Sequence, residues 1–418
     1  MQTIRQGKPA SVGIATTDRR AGVGDAQGAD LASPRREEWV TDARRFAELR
    51  DPWNRLATDN LFLTWDWLDC WWRSFGMGAR MRVHVSWDGP ELAGGIAFGL
   101  RGRHLVAIAN AATDLFRPVA RSEPDLHPAL RPVSEGPWSR ITLRGLPGDD
   151  PATQRLREVL GSDGWLVDEK FRERCPIVST KGKFEDYLRG LSAKTRSNDR
   201  RARRRLEREG RVELRAIEPV GQLEPVLAES FAVEAAGWKG RSNKAILSSE
   251  RRARFWRALF ERFHRLGGVR FSELRLDGTL IAFSLDVVHE GRLYGLKTSY
   301  DERYAFLGPG NVLLMEMIER GFKGDLQAIE MLGPTSPRKE RYATEARDTV
   351  QLRAYRRRPG SLARYGARRW MVPWLRPIYV RPRNALDRVG ERGLRGLRAT
   401  QDGGQCPPNS GPCRPAPE

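Results

Sequence analysis

Gly308-Pro309-Gly310-Asn311 stands between a strand-like run, LKTSY, and an amphipathic stretch carrying Val312, Leu313, Leu314, Met317 and Ile318. A strand feeding a glycine-containing helix start leaves main-chain N–H groups without partners, and together with the helix dipole they attract an anion. Proline costs little in a first helical turn, where its missing N–H has no partner to lose. Flanking glycines let a ligand come close to the backbone. A diphosphate would fit there; an ordinary connecting loop is the other reading of the same four residues. The four cysteines (Cys70, Cys175, Cys406, Cys413) include no Cys-x-x-Cys pair, and the five histidines form no His-x-x-x-His or His-Glu-x-x-His group. Zinc sites are therefore not expected.

That loop needs a sheet to hold it. RVHVSW, DGPEL, AGGIAFGL and RGRHLVAIAN read as strand, turn, strand, strand, with Asp-Gly as the hairpin signal. The pattern recurs as VRFSELRL, DGTL, IAFSLDVV, HEG and RLYGLKTSY, which suggests two copies of one α/β unit. Between the copies, Leu188, Leu191, Thr195, Ala202 and Leu206 share one face of a helix that starts near Phe184 and stops at Gly210. Its other face carries Arg200, Arg201, Arg203, Arg204, Arg205 and Arg208, read as a solvated face or the wall of an anion site. A second helix spans roughly 251–266. In WDWLDCWWRSF, capped by Thr64, positions 65, 68, 71, 72 and 75 follow helical spacing and predict core. After the glycine-led helix come a strand in LQAIEMLGPTS, a charged loop and a last strand ending near residue 358.

At ~150 residues per domain, 418 residues suggest two or three domains. With 39% hydrophobic and 30% charged residues the chain reads as globular, with no run near the ~20 apolar residues of a membrane span. The N-terminus lacks a secretion-signal core, so the expected compartment is the cytoplasm. The net charge of +20 is concentrated: residues 189–215 hold +7 and residues 353–398 hold +12. The division expected is a disordered leader 1–38, a first half 39–176, a second half 177–358, a basic amphipathic tail 359–398 and a disordered end 399–418. Arginines mixed with Trp370, Trp374, Leu375, Ile378 and Tyr379 suit peripheral contact with an anionic membrane, or docking on the protein's own body. Nucleic acid is not the expected partner, since interleaved stacking aromatics and known DNA-binding motifs are absent.

FLTWDWLDCWWRSFG, LSAKTRSNDRRARRRLEREG, Trp238-Lys239-Gly240, IAFSLDVVHEGRLYGLKTSYDERYAFLGPGNVLL and IEMLGPTSPRKERYAT occur in an order that resembles the GNAT-type acyltransferases of the CelD/BcsL group, associated with cellulose and other exopolysaccharide synthesis. The chain is similar, more distantly, to Fem-type aminoacyl-transferases. The likeness covers roughly residues 50–358, and Gly333-Pro334-Thr335-Ser336-Pro337 is more proline-rich than the pattern. It implies an α/β (α+β) fold of tandem GNAT-like halves, each a mixed central sheet flanked by helices. It implies acyl transfer, acetyl being the expected group, from acyl-CoA to an amine or hydroxyl acceptor such as a saccharide of the cell envelope, without a metal. The donor thioester would lie along Leu296, Lys297 and Thr298, its carbonyl polarised by a backbone N–H, and its pyrophosphate on the amides at Gly308, Gly310 and Asn311. Asp301, Glu330 and Tyr342 are the candidate bases. Trp238, Lys239 and Lys339 would bind acceptor or donor charge; salt bridges and strand ends are the alternative roles for these residues. A Fem-like transferase dependent on aminoacyl-tRNA, or a non-catalytic binder of nucleic acid or anions, is the competing function.

Overall fold

The structure, a computed structural model, describes residues 35–217, 223–324 and 326–367. Residues 1–34, most of the basic tail and the 399–418 end lie outside the described residues. The first part of the chain supplies β1 (Arg36–Val40), β2 (Arg80–Asp88), β3 (Glu91–Arg101), β4 (His104–Ala107), β5 (Val119–Ala120), β6 (Arg140–Pro147) and β7 (Leu166–Ser179). The second supplies β8 (Val212–Ile217), β9 (Val269–Leu276), β10 (Thr279–His289), β11 (Arg292–Tyr300), β12 (Ala328–Glu330) and β13 (Glu345–Tyr355). The helices that matter here are α1 (Trp65–Phe75), α2 (Leu126–Glu135), α3 (Phe184–Gly190), α4 (Ala193–Glu209), α5 (Leu223–Ala236), α6 (Glu250–Arg265), α7 (Pro309–Lys323) and the single turn α8 (Pro337–Glu340).

The strands form one mixed sheet in the order β1-β2-β3-β4-β6-β13-β7-β12-β11-β10-β9-β8, with β5 beside β3. The order reads alike from both edges. Each half contributes an antiparallel run, β1 to β4 or β8 to β11, followed by a parallel neighbour, β6 or β12. The final strands then cross over. β7 pairs with β12 of the second half, β13 pairs with β6 of the first, and the two pair with each other. Residues 176 and 177, where the halves were expected to meet, thus lie inside β7.

Local chemistry accounts for much of this. Asp277 and Gly278, with φ of 48° and 80°, make the two-residue turn between β9 and β10 that the Asp-Gly pair predicts. The tryptophans behave as expected: Trp53, Trp65, Trp67 and Trp71 are buried, and Trp67 meets Phe255 of α6 edge-on at 5.4 Å. Across the same contact Arg262 bonds Asp66 at 2.8 Å and Asp69 at 3.0 Å, both acids being buried. Two expectations change. Arg36, Glu37 and Glu38, placed in the leader, pair with Trp87, Ser86 and Val85, because the adjoining Val40 is buried and Trp39 packs on Trp138. The single helix expected from Phe184 to Gly210 breaks after α3. Ser192 accepts the Thr195 N–H at 3.1 Å and so starts α4 afresh.

Candidate functional site

Gly308 precedes α7 with φ 72°, in the left-handed region that glycine enters without strain. Its N–H donates to the Ala305 carbonyl at 3.1 Å, and its carbonyl accepts the Asn311 N–H at 3.0 Å. Of the amides at 308, 310 and 311, the Gly310 N–H is the one without a main-chain hydrogen bond among the described residues. A guanidinium joins it. A Cβ on Gly310 would lie 2.5 Å from Arg338 Nη1, so the missing side chain is what admits Arg338 of α8 to the helix end. Arg338 makes no hydrogen bond or ion pair among the described residues; burial pulls its pKa down, with only the phenols of Tyr342 and Tyr300 to offset this. From α4, Arg205 brings its Nη2 to 3.9 Å from where a Gly308 Cβ would be.

Strand β11 leads to this loop and is bulged. Leu285 faces Lys297 while Val287 faces Tyr294, so Gly295 and Leu296 share the place opposite Asp286. A bulge releases backbone groups from the ladder. On its other side β11 pairs with β12 only through Arg292, Leu293 and Tyr294, and beyond Tyr294 no pairing joins the two strands. Leu296, Lys297 and Thr298 therefore border an opening in the sheet. Asp286 beneath them is fully buried, and burial raises its pKa far above the carboxylate range. Ser284 Oγ donates to it at 2.7 Å, while its second oxygen has no partner among the described residues.

Lysines border the opening. Lys239 Nζ donates to Glu234 at 2.9 Å and to the Thr298 carbonyl at 2.6 Å. Lys339 Nζ holds the Met331 and Leu332 carbonyls at 2.8 and 3.0 Å, closing the turn after β12. Lys297 Nζ lies 4.6 Å from the centre of the Trp256 ring of α6. Burial, with Lys239 and Arg252 nearby, lowers its pKa to about 8, against the pull of Glu234 and Asp114. Burial raises Asp114, from the first half, to about 6 even though Arg172 stands 3.6 Å away. Trp238 is half-exposed, its N–H donating to Glu302 at 2.6 Å.

The three candidate bases are dispersed. Asp301 caps the 302–307 turn by accepting the Arg303 N–H at 3.0 Å and pairs with the Arg303 side chain at 2.6 Å, which lowers its pKa. Glu330 is buried between Arg292 and Arg347. Tyr342 is buried near Arg338; its hydroxyl donates to Asp199 at 2.6 Å, and burial drives its pKa up. So the structure gathers Gly308, Gly310, Asn311 and Tyr342 at one end. It gathers Lys239, Lys297, Thr298 and Lys339 at the opening, and leaves Asp301 and Glu330 bound to arginines. Arg338, Asp114, Asp286 and Trp256 were not singled out from sequence. Arg338 neighbours Lys339 in the charged loop, but nothing along the chain sets it apart from Arg341.

Residues 193–344 match the family model described as acetyltransferase (GNAT) domain. This stretch is a GNAT-type domain. It contains the open amide of α7, the bulged strand and all three lysines, and it makes the chain an acyltransferase by class. Among solved structures, FemX is similar at 10% identity over 76% of this chain and 96% of that one, with a TM-score of 0.49. A tandem GNAT protein from the clavulanic acid biosynthesis pathway is similar at 12% identity over 76% and 98%, TM-score 0.43. A C-terminal domain from Agrobacterium fabrum, described as from a lysylphosphatidylglycerol synthetase, is similar at 13% over 77% and 96%, TM-score 0.49. No curated protein matches. No described helix is long and apolar enough to cross a membrane, and no described group of His, Cys, Asp and Glu could hold a metal ion.

Proposed function

We propose that the GNAT-type domain takes an acyl group, acetyl in the first instance, from acyl-CoA and passes it to an amine or hydroxyl acceptor, such as a saccharide of the cell envelope. One observation carries this reading: the uncompensated Arg338 guanidinium beside the open Gly310 amide, at the start of a fifteen-residue helix. A guanidinium without a counter-ion and a main-chain N–H without a partner are matched by the pyrophosphate of the donor. The acyl arm then follows Leu296–Thr298 into the gap between β11 and β12. There a backbone N–H freed by the bulge polarises the thioester carbonyl. Acceptor enters on the lysine side, where Lys239, Lys297 and Lys339 favour a molecule bearing negative charge. Of the three candidate bases, Asp301 and Glu330 are already engaged by arginine side chains. Tyr342 is a neutral phenol near Arg338 and suits return of a proton to the departing thiolate.

The test is thermal. Acetyl-CoA at about 100 times its Kd should add roughly 2.7 kcal/mol to native stability, and Tm should rise accordingly. A rise with tRNA and none with acetyl-CoA would overturn the reading in favour of an RNA-dependent transferase or a binding protein.

A further inference from the structure

We infer that Lys297 is itself an acyl acceptor, a modification site on the wall of the opening between β11 and β12. This rests on the donor reading above. The other two lysines of the opening each hold two oxygens, Lys239 those of Glu234 and Thr298, Lys339 those of Met331 and Leu332. Lys297 holds none among the described residues; its amine meets only the Trp256 ring. The two acids nearest in charge are already engaged. Glu234 accepts from Lys239 and from the Ile246 N–H at 2.7 Å, and Asp114 lies against Arg172. A lysine present only to stabilise the fold would be expected to recruit an oxygen. This one is held on the strand segment assigned to the thioester, directly after the bulge, with its nitrogen uncommitted.

The environment also supplies the reactive form. With a pKa of about 8, roughly a quarter of the amine is neutral at pH 7.5, against about 0.1% for a fully solvated lysine. The neutral nitrogen attacks the thioester carbonyl carbon. A C–N bond forms, the C–S bond breaks, the electron pair leaves with the CoA thiolate, and the proton lost from nitrogen passes to that thiolate. The step needs no oxidant or reductant. Its product is an amide in place of one of the three cations facing the acceptor, so the acylated protein should bind anionic acceptors less well.

The wild-type chain is incubated with acetyl-CoA at pH 7.5 and its lysine-containing peptides are followed by mass spectrometry, with released CoA measured in parallel. The expected result is one acetyl group on Lys297, gained at least ~10-fold faster than on exposed Lys194, with one CoA released per acetyl. The Lys297 rate should climb between pH 7 and 9 with a midpoint near 8, whereas solvated lysines go on gaining to about pH 10. In Lys297→Arg, verified as folded by its thermal transition, that acetyl group should disappear. Acetylation confined to exposed lysines, in a protein whose Tm does rise with acetyl-CoA, overturns the inference and leaves the donor reading standing. No rise in Tm at all removes the donor reading, and this inference with it.

Discussion

Helices α2 and α7 each lie between a strand and its parallel neighbour, β4 to β6 and β11 to β12, yet they begin on opposite chemistry. At the start of α2 stands Asp125, buried and already satisfied: Ser122 Oγ donates to it at 2.6 Å, Arg35 at 3.1 Å, and Arg121 lies 3.4 Å away. The corresponding place before α7 is Gly308. The first turn there contains no acid, and the nearby charged groups are Arg338 and Arg205. Both helix starts attract negative charge. In the first half the chain provides it from its own sequence, which makes that end a structural joint. In the second half it is left to be supplied from outside, which is what a binding site requires.

The sharpest way to break the contrast is to give α7 a carboxylate of its own. Gly310→Asp should form an ion pair with Arg338 and keep the fold. It should weaken acetyl-CoA binding by ~100-fold or more in a titration, since it consumes one cation and repels the phosphates. Affinity unchanged in that variant would mean the donor does not bind there. Arg338→Met is milder. Loss of one charge-assisted contact of ~1.5–3 kcal/mol predicts affinity lower by ~10–100-fold. Its Tm without ligand should hold or rise, because a half-buried cation with no partner is removed. The smallest effect belongs to α2. Asp125→Asn should leave acetyl-CoA affinity unchanged and cost ~1 kcal/mol of stability in a denaturant melt, since Arg35 and Arg121 are partly solvated. A loss of acetyl-CoA affinity there would blur the division of labour between the two ends.

The features legible in the sequence are those whose causes are local. Asp277-Gly278 announces a hairpin because two successive left-handed residues are needed there, and Gly308-Pro309-Gly310 announces a helix start. The tryptophans of α1 declare a core by their spacing and area. The apolar periodicity of 184–210 predicted one helix, and the Ser192 cap that divides it was not singled out. Arg338 was not legible as a ligand group, since nothing local separates it from Arg341 three residues on; only the folded α8 brings it against Gly310. Asp114 comes from the other half, and the burial that raises its pKa exists only in the folded protein. Glu330 was a candidate base through the resemblance, with a salt bridge or a strand end as its alternative role. Its two arginine partners come from β11 and β13, a pairing that no spacing along the chain announces.

The crossing of β7 and β13 has a consequence for how the molecule bears load. Each half surrenders its last strand to the far side, as two hands interlock fingers. Pulling one half away would strip a ladder from both, so loosening cannot be confined to one of them. A fragment covering only the GNAT-type stretch would leave β12 without β7 at its side, immediately beside the opening. The half whose helix start is filled by its own Asp125 is, on this account, the brace that keeps the opening beside β12 in shape.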